Sequence, residues 1–398
     1  MKKLLLATTA AALTATGTFA GGHISEVKIG IALGFTGPLD SLAPPMENGA
    51  KMAIDEINAS GLFVDGATIT SVSGDSTCVD AAAAVTAAER LITAEGINGL
   101  VGAMCSGATG AILTNVSIPN GMVQISPSAT SPGLTTLEDN GLFYRFAPSD
   151  ARQGELISEI LNEKGIGSIA LTYDNSDYGK GLADAIQSAF EASGGTVTLS
   201  AAHESAKADY SAEVGALASA GGDMLVVAGY ADGGGAGIIQ STLDSGAFDA
   251  FFLPDGMISD TLSDAFGADL EGAIGTRPAA AGPGRDKFGE MAEAAGFDGN
   301  SSFAGEAYDA AAVMLLAMHK ANSIDPADYN GEILGIANAP GEEIGVGELA
   351  RAIELINEGV EINYEGASSV ELIGPGEAGG RYEELMIEGG EFKTVTFR

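Results

Sequence analysis

The chain has no tryptophan, only two cysteines and three histidines, and 18 Lys and Arg against 54 Asp and Glu. Each scarcity removes a class of function. With a formal charge of −36, the surface repels phosphate backbones, so nucleic acid is not an expected partner. The excess acid reads as a solubilising coat suited to a salty medium. His23, His203 and His319 are scattered and give the two cysteines no companions at metal-ligand spacing. Long apolar runs are missing too. Beyond the amino terminus no stretch reaches ~18 apolar residues without a charge, the length a spanning helix needs. There is no Walker lysine motif and no nucleophile elbow. Carboxylate pairs such as Glu342-Glu343 and Glu383-Glu384 are expected on an acidic, solvated surface, and nothing selects one of them as a hydrolytic pair. The expectation is a protein with no catalytic residue, no metal and no cofactor. A secreted hydrolase working through acidic residues is the alternative from another class.

What is present starts at the amino terminus. Lys2 and Lys3 precede an apolar core at 4–13, and Thr18-Phe19-Ala20 places small residues at −3 and −1. That is a secretory signal cleaved after Ala20, too short to span a membrane, and without a cysteine for a lipid anchor. The mature chain of about 378 residues, with a charge near −38 once Lys2 and Lys3 are lost, is long enough for two lobes. In an oxidising compartment Cys78 and Cys105 read most simply as one disulfide. A thiol nucleophile would need a reduced Cys and a partner base, which the sequence does not offer.

Short β runs alternate with amphipathic helices. Strands are expected at 27–33, 68–74, 97–102 and 122–126, with helices at 47–58, 81–95 and 108–116. The pattern restarts at 168–173 and continues through strands at 196–202, 224–228 and 251–253. Segments 143–148 and 275–281 read as strands crossing between the two series. After 281 helices return without a full set of strands. The fold class is therefore α/β, two doubly wound parallel-sheet lobes joined by a three-strand hinge. Gly374-Pro375-Gly376-Glu377-Ala378-Gly379 matches the dinucleotide fingerprint in letters, but it contains proline and runs into a strand at 382–387, so it reads as a turn.

In such sheets ligands bind beyond the carboxyl ends of the strands. In the first series those ends carry Met104-Cys105-Ser106-Gly107 and Ser126-Pro127-Ser128-Ala129-Thr130, which are hydroxyls and backbone amides suited to a carboxylate. In the second they carry Asp177-Tyr178-Gly179, Gly229-Tyr230-Ala231-Asp232 and Pro254-Asp255-Gly256, phenols and carboxylates suited to an ammonium group. Together they fit a zwitterion held at both ends.

Gly34-Phe35-Thr36-Gly37-Pro38, the spacing of Cys78 and Cys105, Ser126-Pro127-Ser128-Ala129-Thr130, Asp177-Tyr178-Gly179-Lys180-Gly181, Gly229-Tyr230 and the run 303–311 follow one another in an order that resembles the periplasmic leucine/isoleucine/valine-binding proteins. These are class I solute receptors of ABC importers, and the resemblance covers 27–397. It implies the type I periplasmic binding protein fold, with residues 21–146 and 278–382 in lobe 1 and 147–277 and 383–398 in lobe 2. It also implies the Cys78–Cys105 disulfide. The receptor would be a periplasmic monomer that delivers a branched-chain or other neutral amino acid to an inner-membrane permease.

By the same resemblance Ser106 and Thr130 would hold the ligand carboxylate. Ser128, with Ala129 beside it, Tyr230 and Asp255 would hold the ammonium group. Tyr178 would close over the ligand, and Leu42 and Tyr308 would line its side-chain pocket. The family usually has Glu where this chain has Asp255, and the segment 338–358 is longer than in the leucine-type receptors. Both departures keep an aromatic acid, an amide or a quaternary amine open as the ligand.

Overall fold

The computed structural model describes residues 23–398, so the signal segment and its cleavage site lie outside the described residues. There are two seven-stranded sheets and a small two-stranded one. In the first, Thr68–Asp75, Glu26–Leu33, Gly99–Gly102, Gln124–Ser126 and Phe143–Pro148 lie side by side in that order, all parallel. The second repeats the plan with Thr196–His203, Ser168–Asp174, Met224–Ala228, Phe251–Leu253 and Ile274–Pro278. Each sheet winds outward in both directions from its first strand, which leaves a crevice at the carboxyl ends where the order reverses. Central strands such as Met224–Ala228 are buried along their whole length, and that is why they read as continuous apolar runs rather than alternating ones.

Two segments expected as crossing strands are instead the fifth strands of their sheets, Phe143–Pro148 and Ile274–Pro278. A buried parallel strand and a crossing strand have the same apolar signature, and only pairing tells them apart. The chain passes between the sheets three times, after Pro148, after Pro278 and between Ala378 and Tyr382. Short passages of this kind can absorb a lobe rotation.

The first helix, Ala43–Ser60, starts earlier than expected because Pro44 and Pro45 occupy its first turn, where a missing N–H costs nothing. Helix Ala304–Ala321 is apolar almost all round and is buried accordingly, packed on Ala43–Ser60. The segment 338–358 contributes the strand Glu342–Ile344, which pairs with Ile362–Tyr364, and the helix Leu349–Asn357. The hairpin of Leu372–Ile373 with Glu377–Ala378 closes the edge of the first sheet, so the fingerprint-like glycines do form a turn. Tyr382–Glu388 and Glu391–Phe397 complete the second sheet. No described helix is long and apolar enough to cross a membrane.

Cys78 and Cys105, 27 positions apart in sequence, form a disulfide with Cα atoms 5.1 Å apart. It ties the loop after Thr68–Asp75 to the loop after Gly99–Gly102, on the crevice side of the first sheet. Closing a loop of that length stabilises the fold by about 3–4 kcal/mol in the chain-entropy account. A Cys78→Ser/Cys105→Ser variant should lose about that much in urea unfolding; a loss under about 1 kcal/mol would show that the reduced chain is already constrained there.

Candidate functional site

The first sheet supplies one wall through two loops sewn together by serines. Ser126 Oγ donates to the Ala103 carbonyl at 2.6 Å and accepts the Ala129 N–H at 3.0 Å. Ser128 Oγ donates to the Met104 carbonyl at 2.8 Å, and Ser106 Oγ accepts the Ser131 N–H at 3.1 Å. Ser106 opens the helix Ser106–Ile112 and also lines the crevice; the unpaired N–H groups of a first helical turn favour a negative group. Arg145 braces the loop from below. Its Nη1 donates to the Ser131 carbonyl at 2.9 Å and its Nε to Glu377 at 3.0 Å.

The second sheet supplies phenols and a carboxylate. Tyr178 lies in the first turn of Asp177–Ala192, which is capped by Ser176 accepting the Gly179 N–H. A side chain on Gly179 would stand 2.3 Å from the Asp174 carbonyl, so glycine is what lets this turn sit so close to the strand end. Tyr178 OH donates to Asp255 Oδ1 at 2.7 Å and accepts the Gly256 N–H at 3.1 Å. The Tyr230 ring stacks on Tyr178 with centroids 5.1 Å apart. Burial pushes the Asp255 carboxyl up to about 6, against hydrogen bonds from Tyr178, Gly256 and Gln153 that favour its ionised form.

Both walls face one cavity of about 290 Å³. Its polar lining is Ser106, Ser128, Tyr178, Tyr230 and Asp255, and its apolar lining is Leu39, Met104 and Phe303. The structure thus brings together five of the nine ligand-site residues expected from sequence. Ala129 lies beneath the loop, packed with Leu113, Leu134 and Phe143. Thr130 is in the same loop, its hydroxyl buried without a well-aligned partner in the neighbourhood of the Asp150 carboxyl.

Leu42 and Tyr308 are not at this cavity, and the expectation for them is corrected. Leu42 faces a separate crevice with Pro45 and Ile258, while Leu39, three residues earlier, reaches the cavity. Tyr308 is buried within the first lobe, its hydroxyl donating to Glu56 Oε2 at 2.6 Å and its ring against Phe288. Phe303, which caps the start of the same helix, lines the cavity instead.

Besides Leu39, the buried polar pair behind Asp255, Asp150 and Gln153, escaped sequence reasoning. Asp150, fully buried at the start of Asp150–Glu163, approaches Asp255 through a shared amide. Oriented to satisfy both ends, the Gln153 amide nitrogen donates to Asp150 Oδ1 and to Asp255 Oδ1, each at 3.1 Å, and its oxygen accepts from Thr276 Oγ1. Burial, and then the nearby Asp255 charge, hold the Asp150 carboxyl well above the usual carboxylate range. An acidic residue in a first helical turn is ordinary dipole chemistry, so nothing in the sequence singled it out.

Residues 26–333 match the family model described as periplasmic binding protein. The chain belongs to that family. Its members are binding receptors, not enzymes. A leucine-, isoleucine-, valine-, threonine- and alanine-binding protein of Pseudomonas aeruginosa is 28% identical over 75% of this chain and 80% of its own. In fold, the chain is similar to the branched-chain amino acid transporter substrate binding protein of Streptococcus pneumoniae in complex with isoleucine. That similarity has a TM-score of 0.77 at 22% identity and covers 94% of this chain and 99% of that one. A solute binding protein of R. palustris in complex with benzoate gives 0.75 at 16% identity, covering 94% and 96%.

Proposed function

We propose that this receptor closes its two lobes, residues 21–146 with 278–382 and 147–277 with 383–398, on a small neutral amino acid. It works as a periplasmic monomer, after cleavage at Ala20, and presents the closed form to an inner-membrane ABC permease. The observation that carries this reading is the division of chemistry across one cavity. Ser106 and Ser128 stand on one side, and Asp255 with its phenols stands on the other. Ser106 and Thr130 receive the ligand carboxylate. Ser128, Tyr230 and Asp255 receive the ammonium group, Asp150 supports Asp255 through Gln153, and Tyr178 closes over the ligand. Leu39, Met104 and Phe303 pack against the side chain. Transport needs no chemistry on the solute, only differential affinity for the closed state.

The R. palustris benzoate complex makes an aromatic acid the second reading. Such a ligand would leave Asp255 buried and without a counter-charge, which disfavours it. Calorimetric titration with L-leucine, L-isoleucine, L-alanine and benzoate separates the two: heat from benzoate alone would overturn the amino-acid reading.

The pH dependence gives a further check. A carboxyl whose pKa is raised to about 6 is neutral below that pH, and an ammonium ligand must expel its proton to bind. Affinity should be flat above pH 7 and about tenfold weaker at pH 5, one unit below the titration. Equal affinity at pH 5 and pH 8 would remove the ionised Asp255 from the binding step.

A further inference from the structure

The lobes also touch away from the ligand cavity. The loop after the first strand, residues 34–42, lies on the segment before helix Gly234–Ser245 of the other lobe. Two hydrogen bonds there are reciprocal and centre on one residue. The Asp232 N–H donates to the Pro38 carbonyl at 3.0 Å, and Asp232 Oδ2 accepts the Ser41 N–H at 3.0 Å. Ser41 Oγ meets Ser259 Oγ at 3.2 Å across the same seam.

We infer that Asp232 is a closure latch: through its main chain and carboxylate it clamps the 38–41 loop of the first lobe, and so sets ligand affinity without touching the ligand. Four features support this. Both Asp232 bonds cross between lobes, so both are lost on opening. The charged acceptor on a backbone N–H is a stronger bond than a neutral one, and a bidirectional pair fixes the loop in one register. The approach is too close for a larger neighbour: a side chain on Gly233 would put its Cβ 2.6 Å from the Pro38 Cβ. Finally, Leu39, in the middle of the clamped loop, lines the ligand cavity, so the latch and the ligand's side chain pull on one segment. Asp232 Oδ1 is buried with no partner among the described residues, a cost the closed form bears only because Oδ2 is held. In the open form water serves these groups, so the latch biases the equilibrium without locking it.

The affinity arm of the test rests on the amino-acid reading above; the ligand-free arm does not. Small-angle scattering of ligand-free protein should give a larger radius of gyration for Asp232→Ala than for wild type, with Asp232→Asn between them because it keeps an acceptor. Gly233→Ala should open the seam by wedging, independently of the carboxylate. Stopped-flow with L-leucine should show Asp232→Ala binding about tenfold more weakly, the loss lying in the dissociation rate. Wild-type scattering in both Asp232→Ala and Gly233→Ala, with both folded by circular dichroism, overturns the latch. If no variant binds any amino acid but the scattering differs as stated, the latch stands and the ligand assignment falls.

Discussion

Asp255→Ala should weaken amino-acid binding by at least tenfold, and by as much as several thousandfold. Removing one partner of a buried, hydrogen-bonded charge pair costs about 2–5 kcal/mol, because the other charge is left desolvated and unpaired. Asp255 is 2% exposed, and Tyr178 and Gln153 both converge on its Oδ1, which leaves Oδ2 for the ligand. Asp150 sets where in that range the effect falls. While Asp255 is ionised, its charge helps keep the Asp150 carboxyl protonated; once Asp255 is removed, Asp150 ionises more readily and supplies part of the lost charge. The Asp150→Asn variant alone should therefore cost less than Asp255→Ala, and the two together more than their sum. Titration calorimetry on the four proteins of the cycle measures both. Unchanged affinity in Asp255→Ala would take this residue out of the site.

Arg145→Met should destabilise the fold by about 3–5 kcal/mol, the largest loss of stability expected from one substitution here. Its side chain is 1% exposed and holds three segments at once. Nη1 reaches the Ser131 carbonyl at 2.9 Å, Nη2 reaches Thr135 Oγ1 at 2.6 Å, and Nε reaches Glu377 Oε2 at 3.0 Å. Methionine fills much of the volume but leaves Glu377 facing a low-dielectric site without its counter-charge, and leaves the Ser131 carbonyl without its donor. Because the 128–131 loop carries Ser128 and its neighbours, ligand affinity should fall along with stability. Urea unfolding measures the first effect and calorimetry the second; a loss below about 1 kcal/mol would mean that the hairpin at Glu377 repacks without the guanidinium. Glu377→Gln is the milder control, since a neutral amide still accepts from Arg145.

Much of this architecture could be read along the chain, because parallel strands buried on both faces must be apolar and the helices between them must be amphipathic. The repeated series at 27–126 and 168–253 followed from that requirement, and so did the polar residues just past the strand ends. Ser106, Ser128, Tyr178, Tyr230 and Asp255 were legible because a doubly wound sheet puts its ligand crevice at those ends whatever the side chains are. The two-residue strands Leu372–Ile373 and Glu377–Ala378 were not legible, since two residues cannot show a period.

The amino-acid sequence by itself determined the two-lobed α/β plan, the pairing of Cys78 with Cys105, and which strand-end loops line the cavity, since all three depend on local pattern or on there being only two cysteines. Tertiary structure alone decided which members of a loop or helix face the cavity. It chose Leu39 over Leu42, because the loop is clamped by Asp232, and Phe303 over Tyr308, because the helix turns Tyr308 toward Glu56. It also brought Asp150 beside Asp255, 105 residues further along the chain. Direction and long-range contact are properties of the packed molecule, and no spacing along the chain encodes them.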